Sequence, residues 1–281
     1  MTTIYTLVED YSGYESPFLA QHGVSFLIEH QGKCILFDVG QDALPVLYNM
    51  KKLELDPTSI DYIFLSHCHY DHTGGLLDVL KAIGKKVPVI AHPTIFRPHF
   101  IGDPPQNVGV PFRREEIQKY AQFLLTDEPI QIIKDVYSTG EITKREDFER
   151  AALDTLNVYT LKNGHPLKDM LSDDMSVVIT TPEGLTIVTG CSHAGIISII
   201  NHTITLTEGK TEGKRIKAVI GGFHLIDASK ERIAQTVKAF KEYHVNTVYT
   251  GHCTGLKAEA AFLETYRERF KKLHAGLVIE V

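Results

Sequence analysis

The sequence predicts an α/β protein, two sheets with helices outside. Three observations predict it. The first forty residues are strand-like runs broken by one tight turn. Later, short β-rich runs alternate with helical periodicities, the pattern of βα units. The composition, 43% hydrophobic and 23% charged over 281 residues, is that of a globular chain able to bury a sizeable core.

Each element follows from local pattern. Residues 4–8, 24–29 and 34–38 read as strands, the last two joined by the turn pair Gln31-Gly32. Leu44, Leu47, Tyr48 and Lys51 share one side of a helix. Residues 60–66 form a β-rich run that should be buried. Leu76, Leu77 and Leu80 place a helix over 73–83, and 87–91 is another strand. Five of the twelve prolines fall between Pro93 and Pro111, which excludes regular structure throughout that stretch. It reads as a long loop, a lid candidate, leading into a helix over 113–125. Strands are expected at 175–180 and 185–189 around the turn Pro182-Glu183-Gly184, then a helix from 196. Strands at 217–220, 247–250 and 277–281 alternate with helices over 229–243 and 256–272. With no low-complexity linker and no short repeat, the expectation is one domain over 1–281, the 93–111 loop being an insert.

The net charge is −6 and no Lys/Arg-rich run occurs, which disfavours a nucleic-acid partner. The longest apolar runs, about six residues, are far short of a membrane span. The first residues show no charged n-region or apolar h-region, so a cytoplasmic, membrane-free protein is expected. Four cysteines without a CxxC pair make neither a disulfide framework nor a zinc ribbon. Cys68, Cys191 and Cys253 each lie within two residues of a histidine, and their ordinary reading is small buried residues near a site. Nucleophile-elbow, Walker and dinucleotide-binding patterns are absent from the sequence.

The strongest chemical signal is Ser66-His67-Cys68-His69-Tyr70-Asp71-His72, between the expected buried strand and the helix over 73–83. Four metal-competent side chains in six residues are hard to explain by packing. Imidazole suits divalent transition metals, and a carboxylate adds charge neutralisation. In an extended turn His67 and His69 point to the same side, leaving Asp71 and His72 for a second metal. Asp38 ends an apolar strand, so its carboxylate needs a partner; orienting a ligating histidine is its natural role. His224 ends another strand after two glycines and is a candidate to bind substrate or move a proton.

His-x-His-x-Asp-His followed by Thr73-Gly74-Gly75-Leu76 resembles the signature of the metallo-β-lactamase superfamily. Phe37-Asp38-Val39-Gly40, the run 189–195 (Thr-Gly-Cys-Ser-His-Ala-Gly) and Thr250-Gly251-His252-Cys253 resemble its other motifs. The resemblance implies a four-layer αβ/βα sandwich of two mixed sheets, with a binuclear metal site at one edge. It implies His67, His69 and His193 on the first metal, and Asp71, His72 and His252 on the second. The usual Thr-Gly-Asp reads Thr189-Gly190-Cys191 here, so Cys191 stands where a bridging aspartate is expected. His193, or alternatively His165, would then replace an earlier histidine. Further motifs, among them His22-Gly23, Asp173-Asp174 and Gly221-Gly222-Phe223-His224-Leu225, resemble one branch of the superfamily. That branch holds metal-dependent hydrolases and the archaeal dihydropterin–aminobenzene ribofuranosyl phosphate synthase.

The leading expectation is therefore a metal-dependent hydrolase. Two divalent ions, zinc first with iron or manganese also compatible, would activate a hydroxide against a small ester, lactone or phosphoester. Asp71 would align the attacking water as well as bind metal, and His224 would protonate the leaving group. The substrate would be a small, anionic molecule. The branch resemblance implies an alternative, a transferase joining a dihydropterin methyl diphosphate to an aminobenzene ribofuranosyl phosphate, with pyrophosphate leaving. A non-catalytic metal-binding protein is a third reading, disfavoured by the full ligand set.

Overall fold

The computed structural model describes residues 1–155, 157–208 and 215–281. The chain opens with β1 (Thr2–Val8), β2 (Ser25–His30), β3 (Lys33–Phe37), α1 (Ala43–Lys52), β4 (Tyr62–Phe64), the one-turn α2 (Tyr70–Thr73), α3 (Leu76–Ile83) and β5 (Val87–Ala91). Then come β6 (His99–Ile101), β7 (Gln106–Asn107), α4 (Arg114–Ile117), β8 (Ala121–Leu125), β9 (Gln131–Ile133), β10 (Val136–Ser138), α5 (Asp147–Thr155), β11 (Val158–Lys162) and β12 (His165–Lys168). The last third holds β13 (Val177–Thr181), β14 (Gly184–Val188), α6 (Ile196–Leu206), β15 (Ile216–Gly221), α7 (Lys230–Glu242), β16 (Thr247–Thr250), α8 (Leu256–Tyr266), β17 (Phe270–Lys272) and β18 (Val278–Glu280). Two compact units divide these elements: 1–127 with 157–173 and 274–280, and 128–156 with 174–273 and 281.

In the first unit a seven-stranded mixed sheet runs β18-β1-β2-β3-β4-β5-β8. The β2–β3 hairpin turns at Gln31 and Gly32, both at positive φ (50° and 75°), as a primed turn demands. From β3 onward the pairing is parallel, with α1 and α3 supplying connections. Helix α1 starts where Asp42 accepts the Leu44 N–H (2.7 Å). Its Val46 and Met50 pack with Val79, Leu80 and Ile83 of α3 against Leu27, Leu36, Ile63 and Val89 of the sheet. Full burial of each such side chain contributes roughly 1.5–3 kcal/mol. On the other sheet face Phe26, Phe37 and Phe64 form an aromatic row with centroids 6.1 and 5.3 Å apart.

Two expectations need correction here. The helix expected over 113–125 is only the turn α4; residues 121–125 instead form β8, parallel to β5 in register from Val87↔Ala121 to Ala91↔Leu125. The period-2 pattern of Ala121-Gln-Phe-Leu-Leu125, with alternate residues turned inward, completes the sheet edge, and tertiary pairing outweighs helix propensity. The proline-rich stretch is not loop throughout either. Its β6 pairs with β11 in a small sheet ordered β12-β11-β6-β7.

The second unit carries another seven-stranded mixed sheet, β17-β16-β15-β14-β13-β10-β9, parallel from β14 to β17. Ile199 and Ile200 of α6, Val237 and Phe240 of α7 and Phe262 of α8 cluster with Ile187, Val219 and Val248 of the strands. Phe223, Phe240 and Phe262 meet at 4.9–5.5 Å. The buried Glu149 on α5 caps α6, accepting the N–H groups of Ile197 (2.9 Å) and Ser198 (2.8 Å). The helix expected over 256–272 stops at Tyr266; Arg267 takes a left-handed φ of 50°, and 270–272 add a strand beside β16. No described helix is long and apolar enough to cross a membrane.

Candidate metal centre

In the first unit β4 delivers residues 66–72 to its C-terminal end, where the backbone turns into α2. A Cβ on Gly23 would run into the Asp71 carbonyl, so only glycine lets this turn close against the chain before β2. Asp38, fully buried after β3 with a left-handed φ of 53°, organises the turn. One of its oxygens accepts the Ser66 N–H (2.7 Å); the other accepts the Ser66 hydroxyl (2.7 Å) and faces Nδ1 of His72 (2.7 Å). Because that hydroxyl donates to a carboxylate, its oxygen accepts from His67 Nδ1–H (2.8 Å), and His67 keeps its lone pair on Nε2. This Nε2 lies 3.0 Å from Nδ1 of His69. Asp71 stands 3.3 Å from Nε2 of His72, so the His72 ring sits between two carboxylates.

The electrostatics follow. Burial lowers His72's basicity, but Asp71 and Asp38 more than compensate and raise it to about 9. Burial pushes His69 down to about 3, with Asp71 opposing it incompletely. Burial lifts the Cys68 thiol well above its ordinary value, and Cys68 packs into the apolar core, which makes it structural.

In the second unit three strand ends carry the candidate groups, namely 189–193 after β14, 222–225 after β15 and 251–254 after β16. Side-chain hydroxyls tie them together. Ser192 donates to the Gly222 carbonyl (2.7 Å), Thr250 to the Gly221 carbonyl (2.7 Å), and Thr254 accepts the Phe223 N–H (2.9 Å). Ser192, His224 and His252 all hold left-handed φ angles (59°, 45° and 47°), strain of the kind that gathers at functional sites. The His193 and His224 rings lie 4.2 Å apart. The Cys253 thiol donates to the Cys191 carbonyl (3.5 Å). Burial alone would raise that thiol's pKa, yet hydrogen bonding with the side chains of Cys191 and His224 and the electrostatics of His252 hold it well below the ordinary value.

These residues fit a transition metal. The first unit presents an imidazole lone pair, a second imidazole nitrogen 3.0 Å away and a carboxylate, within one turn. Imidazoles and a carboxylate gathered in one turn make a nitrogen-rich donor set that suits zinc, iron or manganese.

The pattern of the metallo-β-lactamase superfamily matches residues 20–252. The chain belongs to that superfamily. It is 45% identical over 286 residues to the 7,8-dihydropterin-6-methyl-4-(β-D-ribofuranosyl)-aminobenzene-5′-phosphate synthase of Methanocaldococcus jannaschii, covering 99% of this chain and 96% of the relative. A crystal structure described as a metal-dependent hydrolase of the β-lactamase superfamily superposes with a TM-score of 0.82 at 31% identity, covering 100% and 99% of the two chains. A metallo-β-lactamase-fold protein of Bacillus subtilis matches at a TM-score of 0.59 over 100% of both chains; at 13% identity it speaks for the fold alone. The chain is thus an enzyme of the metallo-β-lactamase fold.

Within that fold His67, His69, Asp71 and His72 gather in the first unit around Asp38, and His193, His224 and His252 gather in the second with Cys191 and Cys253. His165 stays exposed at the start of β12. Asp174 accepts the Ala194 N–H (2.7 Å) and so holds the backbone beside His193. Two histidines outside the six ligands that the resemblance implies meet this turn. His22 faces Asp10 through Nδ1 (3.2 Å) and Asp71 through Nε2 (3.6 Å). His99 is fully buried with its Nε2 2.9 Å from Nε2 of His69. The sequence signal for His22 was its place in the motif His22-Gly23; for His99, inside the proline-rich stretch, there was none.

Proposed function

We propose that this chain is a metal-dependent transferase of the kind its Methanocaldococcus relative is named for, joining a dihydropterin methyl diphosphate to an aminobenzene ribofuranosyl phosphate. The observation that carries the reading is the 45% identity over nearly the full length of both chains. On the superfamily pattern, His67, His69 and His193 would hold one metal and Asp71, His72 and His252 a second. Two divalent ions, zinc first, would supply positive charge that binds the diphosphate and stabilises the charge developing on it. The aromatic amine attacks the pterin methylene carbon, a C–N bond forms, the C–O bond to diphosphate breaks, and the amine loses a proton. His224 accepts that proton; its ring has a buried Nδ1 and neighbours the polarised Cys253 thiol. Asp71, between His72 and His22, fixes the first unit's donors while binding metal. The metals would supply countercharge to the small, anionic substrates.

The test is direct. Zinc-loaded protein with both substrates should release pyrophosphate and the coupled pterin in equal amounts. With the diphosphate alone it should be nearly silent. A protein that hydrolyses the diphosphate equally fast without the amine is a hydrolase, the second reading. The hydrolase named in the 31% identical crystal structure favours that outcome.

A further inference from the structure

Behind the His69 ring lies a buried polar chain that the superfamily pattern does not call for. His99, on β6, presents Nε2 to Nε2 of His69 (2.9 Å) and Nδ1 to the Asp169 carboxylate (2.7 Å). Arg97 clamps Asp169 with two bonds, from Nε (2.7 Å) and Nη2 (3.0 Å), and reaches Asp173 with Nη2 (2.7 Å). Asp173 in turn accepts the Cys68 N–H (2.8 Å), the backbone between His67 and His69. His99, Asp169 and Asp173 are buried, so bulk water does not compete for these bonds.

The donor and acceptor roles can be read outward from the carboxylate. Asp169 only accepts, so His99 Nδ1 carries the hydrogen and, in the neutral ring, His99 Nε2 is an acceptor. The partner atom, His69 Nε2, must then donate, which leaves the His69 lone pair on Nδ1. That is the atom 3.0 Å from Nε2 of His67. We infer that His99, locked by Asp169 and Arg97, is a positioning residue that selects the Nε2–H tautomer of His69 and aims its Nδ1 as a metal ligand. The inference rests on the metal-centre reading above. It also gives the proline-rich stretch a role, since Arg97 and His99 are both carried by it. The same arginine anchors the ring of His69 through one aspartate and the backbone of Cys68 through the other.

The experiment is a two-bond proton–nitrogen correlation on metal-free protein labelled with [¹⁵N]histidine, paired with zinc affinity by chelator competition. In the unaltered protein His69 should show the Nε2–H form. His99→Leu should lose that preference and bind zinc about 10–100-fold more weakly, the usual consequence of removing such a partner. His99→Gln, whose amide can accept from His69 and donate to Asp169, should recover the tautomer and most of the affinity. A His69 ring protonated on Nδ1 in the unaltered protein overturns the inference, whether or not either variant folds. So do a His99→Leu protein with unchanged tautomer and affinity, and Leu and Gln variants equally weakened. An unaltered protein that takes up no divalent metal, yet shows His69 as Nε2–H, overturns the metal reading and leaves the relay itself standing.

Discussion

In the first unit the candidate ligands come from one contiguous turn, 67–72, and each of the three rings is held by a neighbour: His67 by Ser66, His69 by His99, His72 by Asp38. In the second unit they come from three separate strand ends, tied by serine and threonine hydroxyls to backbone carbonyls, and the Cys253 thiol stands beside His224 and His252. The first arrangement gives each ring a partner of its own and places two carboxylates beside His72. The second positions the backbone and leaves a ring, that of His224, whose buried Nδ1 finds no hydrogen-bond partner among the described residues. On the proposed roles, the first unit supplies metal ligands, and the second adds to its own ligands, His193 and His252, a ring placed to move a proton. A ligand needs a set tautomer; a proton carrier must be able to change its own.

That contrast is open to attack, most severely at Asp71. Asp71→Ala should lose about one of two metals per chain and nearly all turnover while the circular dichroism stays native. A variant that binds both metals and turns over normally ends the assignment. Next, His224→Ala should keep its metals and slow by about 10²–10⁴-fold, the range for a lost general acid or base. His193→Ala should lose metal and rate together. Metal analysis beside kcat separates the two, and the reverse pattern would exchange their roles.

Stability gives a smaller contrast. Asp38→Ala strands the buried His72 ring and two Ser66 donors, and should cost about 3–5 kcal/mol in denaturant unfolding. Asp174→Ala removes an acceptor from the Ala194 N–H and should cost about 1–3 kcal/mol. Equal losses would mean that the carboxylate in the first unit is not special.

The pH dependence of metal-free protein tests the same pair. His72's basicity is raised from 6.5 to about 9 by Asp71 and Asp38 against its burial. A raised folded-state value means that its stabilisation is complete below 6.5 and is lost as pH climbs through about 9. Melting temperature should therefore fall over that window, and Asp38→Ala should flatten the fall. Metal uptake near neutrality should release about one proton from this ring. A melting temperature constant across the window would remove His72 from between the carboxylates. The smallest effect is expected at His165→Ala: exposed on its hairpin, it should alter neither metal content nor rate.

The turn 66–72 was legible in the sequence because its chemistry is local: alternating histidines and an aspartate in consecutive positions can serve one site in almost any extended turn. Asp38 was legible for a related reason, a charge that ends an apolar strand must find a partner. The α/β class and the βα alternation followed from hydrophobic period. The residues 121–125 were not legible as a strand, since a short apolar run has no preference that survives the offer of a sheet edge at β5.

His99 marks the limit most clearly. It lies thirty residues from His69 and about seventy from Asp169, so no local pattern joins them. By itself the sequence determined which imidazole and carboxylate groups are offered side by side at 67–72. Only the tertiary structure decided what faces each nitrogen of those rings. A tautomer is set by whatever stands on the far side of the imidazole, and that neighbour is supplied by folding.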